Sequence, residues 1–154
     1  MNYLKLIISV VSCELIGVLG SIFTTKNIPA WYSGLNKPSF NPPDWIFGPV
    51  WFTLYLLMGI SFYIIWNKSG DSDIKIPVII FILQLFFNFI WSVIFFGFKM
   101  PGLAFIDILI LDVLILVCIF LFYPVSNSAS YLLIPYLLWV SFAALLNYKI
   151  WILN

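Results

Sequence analysis

Five long apolar runs decide what this chain can fold into. They cover 6–24, 46–66, 76–98, 103–123 and 131–153. Each reaches the roughly 20 residues that a helix needs to cross a bilayer. Backbone in hydrocarbon must bond to itself, so helices are the expected solution. The runs lack the alternation of an outer-membrane barrel. The predicted fold is therefore all-α, one domain over residues 1–154, an integral membrane bundle of five transmembrane helices. Pro43 and Asp44 stand before the second run, Pro77 opens the third, and Pro101 and Gly102 turn into the fourth. Those are helix-edge positions, where proline is tolerated.

Composition agrees. Hydrophobic residues make up 64% and charged residues 8%, where a soluble domain carries about a quarter charged. The first run could also be read as a secretory signal, but Glu14 at its centre and its length argue against cleavage. Five crossings put the termini on opposite sides. Lys5, Lys68 and Lys75 fall on one side, and Lys26, Lys37, Lys99 and Lys149 on the other. That near balance leaves the orientation open.

Several chemistries are excluded by residue type. The net charge of +1 gives no electrostatic case for nucleic acid. All bases are lysine, so the bidentate arginine fork is absent. Without histidine there is no imidazole triad and no common zinc site. No metal site or cofactor is expected. Cys13 and Cys118 both lie in apolar runs and read as small core residues. Asp107 and Asp112 are five residues apart, so they point in different directions and form no paired-carboxylate site. Each of them, like Glu14, is expected to hydrogen-bond across the bundle or stay protonated.

The connector 25–45 is unusual. Between Trp31 and Trp51 the chain carries Tyr32, Phe40, Trp45 and Phe47 among Pro38, Pro42, Pro43 and Pro49. Proline fixes φ and removes a donor, so the segment is partly pre-shaped. Such a loop suits a lid over an apolar pocket. It also suits an aromatic belt at the headgroup level.

Polar residues at membrane depth carry the second signal. Gln84, Asn88 and Trp91 share one helix face. Trp139, Ala143 and Asn147 share another, and Trp51 with Tyr55 a third. Turned inward, these stripes would line an apolar cavity with a few hydrogen-bonding groups. The plainer alternative is helix packing, with the amides bonding across an interface. Ser9, Cys13, Gly17 and Ser21 form a small-residue stripe that allows close helix approach, within the chain or across a dimer seam.

The order Trp31, Tyr32, Leu35, Lys37-Pro38, Phe40, Pro42-Pro43, Trp45, Gly48-Pro49-Val50-Trp51 resembles the translocator protein family, also called tryptophan-rich sensory proteins or peripheral benzodiazepine receptors. Gln84, Leu85, Asn88, Trp91 and Phe95–Gly97 resemble that family's third helix. Pro135, Tyr136, Trp139, Phe142, Ala143, Leu146, Asn147 and Asn154 resemble its fifth. Asp107 also matches, whereas Asp112 and Glu14 depart from the pattern. Leu146, Tyr148 and Lys149 approach a sterol motif of some relatives but lack its spacer residue.

The resemblance implies a membrane receptor for tetrapyrroles such as protoporphyrin IX and for isoquinoline carboxamide or benzodiazepine-type ligands. Trp51 and Trp139 would stack on the ligand, and Ala143 would leave room for it. Tyr32 and Pro42 would close the pocket, while Asn88 and Asn147 orient polar edges. Tyr55, Gln84 and Trp91 complete the expected site. Two other functions stay open. One is light- and oxygen-dependent porphyrin degradation, with Trp51 and Trp139 as its reacting rings. The other is porphyrin or lipid transport. Membrane lipid and a second copy of the chain are the remaining expected partners. The lysine-only bases and abundant Ile, Phe and Asn suggest a bacterial cell membrane.

Overall fold

The computed structural model describes residues 2–70 and 73–154. Helix α1 spans Tyr3–Ala30, α2 Asp44–Asn67, α3 Lys75–Ser92, α4 Pro101–Phe122, α5 Asn127–Tyr131 and α6 Ile134–Leu153. Among the described residues, five spans are long and apolar enough to cross a membrane, with α5 and α6 together forming the last.

Helix α1 runs past the expected end at Thr24. The polar residues that read as loop bond to their own helix instead. Thr25 Oγ1 donates to Ser21 O at 2.7 Å and Asn27 Nδ2 to Phe23 O at 2.9 Å. Pro29 falls in the last turn, where only one carbonyl loses its partner. At 28 residues, α1 is roughly 42 Å long and outreaches a hydrocarbon core of roughly 30 Å. The connector is correspondingly shorter than expected. A 3₁₀ turn at Tyr32–Gly34 leads through a further turn, where Asn41 N donates to Pro38 O at 3.0 Å, to the Pro43 cap of α2.

Two further departures from the expected helices matter. The third span ends in a π-turn at Val93–Gly97, where Phe98 N donates to Val93 O at 2.8 Å. That wider turn brings Phe95 and Phe96 into the interior, 2% and 7% exposed. Lys99 then reverses the chain with φ 57°. The fifth span is broken at Leu132 and Leu133, because Pro135 cannot supply the N–H a continuous helix would need. Ser61 Oγ bonds Ala129 O at 2.7 Å and Ser130 Oγ bonds Ile119 O at 2.8 Å, which fixes α5 to α2 and α4.

The helices close into a ring. α1 packs on α2 and α3, α4 on α3 and α6, and α2 on α5 and α6. α2 and α3 follow one another in sequence but meet across the interior through side chains. At the end holding the α2–α3 connection the interior is solid. Phe62 stacks on Phe81 at 4.7 Å, and Phe81 on Phe122 at 5.8 Å, beside fully buried Met58, Ile65 and Ile115. Cys13 and Cys118 are buried free thiols within this packing. The other end is not filled.

Candidate functional site

The filled and unfilled halves are divided by a buried hydrogen-bond chain. Tyr55 of α2 donates its hydroxyl to Asn88 Oδ1 of α3. Asn88 Nδ2 donates to the Tyr136 hydroxyl of α6 at 2.9 Å, and that hydroxyl donates to Gln84 Oε1 at 2.9 Å. Four polar side chains on three helices thus satisfy one another. A closed network of this kind fixes relative helix positions in a low-dielectric interior.

Above this floor lies a cavity of about 480 Å³, within the roughly 300–1,000 Å³ range of small-molecule pockets. Trp51, Trp91 and Trp139 line it from α2, α3 and α6, and Ala143 leaves space beside Trp139. Trp91 stacks on Phe95 at 5.0 Å. Trp139 is held edge-on by Phe47 at 5.9 Å and Phe142 at 5.7 Å. The indoles are therefore fixed by neighbouring rings rather than free to rotate. Towards α1 the wall thins. Val18, Ser21 and Thr25 of α1 and Gly48 and Phe52 of α2 line the cavity and are also exposed on the outside. A Cβ added at Gly48 would meet nothing within 4 Å. The cavity therefore opens sideways between α1 and α2.

The connector roofs the cavity and is fixed at three places. Trp31 and Tyr32 pack on Phe95 and Phe96, with Trp31–Phe95 at 5.6 Å and Tyr32–Phe96 at 5.7 Å. Phe40 lies 6.4 Å from Phe142, which in turn supports Trp139. Asn36 and Asn154 bond reciprocally. Asn36 N donates to Asn154 Oδ1 at 2.9 Å, and Asn154 Nδ2 donates to Asn36 O at 3.0 Å. Within the roof, Tyr32 donates to Asn41 Oδ1 at 3.1 Å, and the Lys37 ammonium lies 4.4 Å from the Tyr32 ring centre. Burial pushes the Tyr32 phenol up to about 12. The Asp44 charge adds to that rise and the Asn41 bond opposes it.

Most of the residues singled out in the sequence converge here. Tyr32, Trp51, Tyr55, Asn88, Trp91, Trp139, Ala143 and Asn147 all line the cavity. Gln84 and Pro42 do not. Gln84 belongs to the floor but lies on its far side, against Tyr136 and Met58, one helical turn deeper than Asn88. The Pro42 carbonyl accepts from Asn41 Nδ2 at 2.9 Å, so this proline shapes the roof from within the loop. The amides have partners inside the protein. Asn147 Oδ1 accepts from Trp91 Nε1 at 2.9 Å, and Asn147 Nδ2 donates to Pro101 O at 2.7 Å. The carboxyls separate in behaviour. Asp112 accepts from Ser141 of α6 at 3.0 Å, a cross-helix bond. Glu14 Oε1 and Asp107 Oδ2 are buried without a partner.

Sequence reasoning missed the α1 wall. Glu14, Gly17, Ser21 and Thr24 face the cavity. The stripe Ser9, Cys13, Gly17 and Ser21 carried that signal, and half of it serves packing. Ser9 and Cys13 are buried at 1% exposure, whereas Ser21 is at the opening. Phe95 and Phe96 were also unassigned, because a π-turn has no clear sequence signature.

The family model described as TspO/MBR family matches residues 9–152. The tryptophan-rich protein TspO of Archaeoglobus fulgidus is 44% identical over 154 residues, covering 100% of this chain and 99% of that protein. The protein of the same name from Chlorobaculum tepidum is 42% identical, covering 92% and 90%. The human translocator protein is 40% identical, covering 86% of this chain and 80% of its own length. With its five spans, the chain is a multi-pass integral membrane protein.

Proposed function

We propose, for a chain that belongs to the TspO/MBR family, that the cavity is a receptor site for flat, apolar, ring-bearing small molecules, tetrapyrroles such as protoporphyrin IX foremost. Family membership and the relatives' names support a membrane receptor-type role. One observation carries the finer reading. Indole rings from three helices wall a cavity of about 480 Å³ under a roof anchored on the π-turn after α3 and on Asn154 at the end of α6. Trp51 and Trp139 present faces and edges on which a macrocycle can stack. The gap between α1 and α2 admits a planar ligand edge-on from the membrane. Tyr32 closes the site from the roof, while Asn88 and Asn147 hold the walls in register.

The test is binding of protoporphyrin IX to the protein in lipid nanodiscs, followed by tryptophan quenching. Trp51→Phe and Trp139→Phe should each weaken binding about three- to tenfold, the loss of part of one ring contact. Unchanged affinity in both variants would contradict the receptor reading.

A further inference from the structure

The cavity wall leaves a polar group unspent on its α1 side. Glu14 of α1 lines the cavity, and its Oε1 is buried with no hydrogen-bond partner. On the opposite wall, Trp139 Nε1 is likewise buried and unpaired. Most other polar side chains of the wall are committed within the protein. Tyr55 bonds to Asn88, Asn88 to Tyr136, Trp91 to Asn147, and Asn147 to Pro101. Thr24 and Thr25 bond to Gly20 O and Ser21 O, and Ser21 to Val18 O. Ser92 Oγ faces Gly20 and is a neutral hydroxyl, able to donate or accept but carrying no charge to meet a cation. Asp44 lies exposed at the mouth. Among the described residues, Glu14 and Asp44 are the acids that line the chamber, and Glu14 is the one set back from its mouth, with no protein donor on its Oε1.

Position makes the carboxyl informative. Glu14 lies roughly 16 Å along a helix of roughly 42 Å, at membrane depth. Gly17, Val18 and Ser21 continue its face into the cavity. An acidic group there is costly unless a cation or donors meet it. No donor in the protein meets Oε1, and the side chain that carries it borders the cavity.

We propose that Glu14 is a cation subsite of this cavity, taking the protonated amine of a flat apolar ligand whose rings lie against Trp51 and Trp139. The assignment rests on the receptor reading above and narrows its ligand class to include lipophilic amines. A charge-assisted bond in a dry cavity is about twice as strong as a neutral one.

The test uses three probes with one ring system: 1-naphthylmethylamine, 1-naphthylmethanol and 1-naphthoate. Binding to the protein in nanodiscs is read by tryptophan quenching, with protoporphyrin IX alongside. The amine should bind about tenfold tighter than the alcohol, and the naphthoate more weakly than either. Glu14→Gln should erase the gap between amine and alcohol and leave the alcohol within about twofold. Glu14→Ala serves the same purpose should the glutamine variant fold poorly. Asp44→Asn should leave the gap intact. Equal binding of amine and alcohol overturns the subsite, as does a gap that survives the Glu14→Gln substitution or vanishes with Asp44→Asn. If the three probes fail while protoporphyrin IX binds, the subsite falls and the receptor reading stands. If protoporphyrin IX fails too, both fall.

Discussion

Tyr32 shows how one side chain ties the roof to the bundle. It is 5% exposed, packs on Phe95 and Phe96, and hydroxyl-bonds Asn41. Its phenol is raised from 10.0 to about 12, first by burial and then by the Asp44 charge. The folded loop therefore keeps a proton that the unfolded loop has lost between pH 10 and about 12. The native state binds more protons in that window, so stability falls as pH rises through it and is unaffected below it. The expected result is that thermal stability drops about 1–2 kcal/mol more in the wild type than in Tyr32→Phe between about pH 9.5 and 12. Parallel losses in both proteins would place the pH dependence elsewhere. This tyrosine was readable in the sequence as a roof residue. Its partner Asn41 was not, because loop geometry decides which amide a phenol reaches.

At the scale of elements, the tightest join is between α1 and α2. A Cβ at Gly59 would lie 2.6 Å from Val10 Cα and 3.1 Å from Ser9 O. Those are backbone atoms, which yield only if the helices part. Gly59→Ala should therefore lower thermal stability by about 1–3 kcal/mol. Gly34→Ala, where a Cβ meets nothing within 4 Å, should stay within about 0.5 kcal/mol. Equal effects of the two would mean that close approach is not what Gly59 provides. Gly17 contributes differently, since the Tyr55 ring fills the space a side chain would take and from there bonds Asn88. The small-residue stripe announced close packing but not its partner. Helix α2 takes that face because Gly59 lets the backbones touch.

At the scale of the molecule, the bundle is solid at one end and hollow at the other. The roof over the hollow end is closed by the Asn36–Asn154 pair, which joins residues 118 apart in the chain. These bonds are exposed and contribute about 1 kcal/mol in net terms. Asn154→Ala should raise hydrogen exchange of the amides at 35–41 about fivefold while leaving α3 and α4 unchanged. Uniform loosening across the bundle would show instead that Asn154 supports the fold as a whole.

Much of this was legible because a bilayer simplifies the problem. Apolar length alone determined five helical spans, whereas the Trp- and Pro-rich connector read equally as a roof or as an aromatic belt until the family resemblance favoured the roof. Helical periodicity determined which of Trp51, Asn88, Trp91, Trp139 and Asn147 share faces. The helix ends were less legible. Thr25 and Asn27 read as loop yet bond back into α1, and Pro135 breaks a span that hydropathy shows as continuous. Only the tertiary structure decided which faces meet, and hence that Gln84 falls outside the cavity while Glu14 stands in its wall. Periodicity is a property of one helix, whereas an enclosed space and an unpaired oxygen within it exist only once several helices have closed around them.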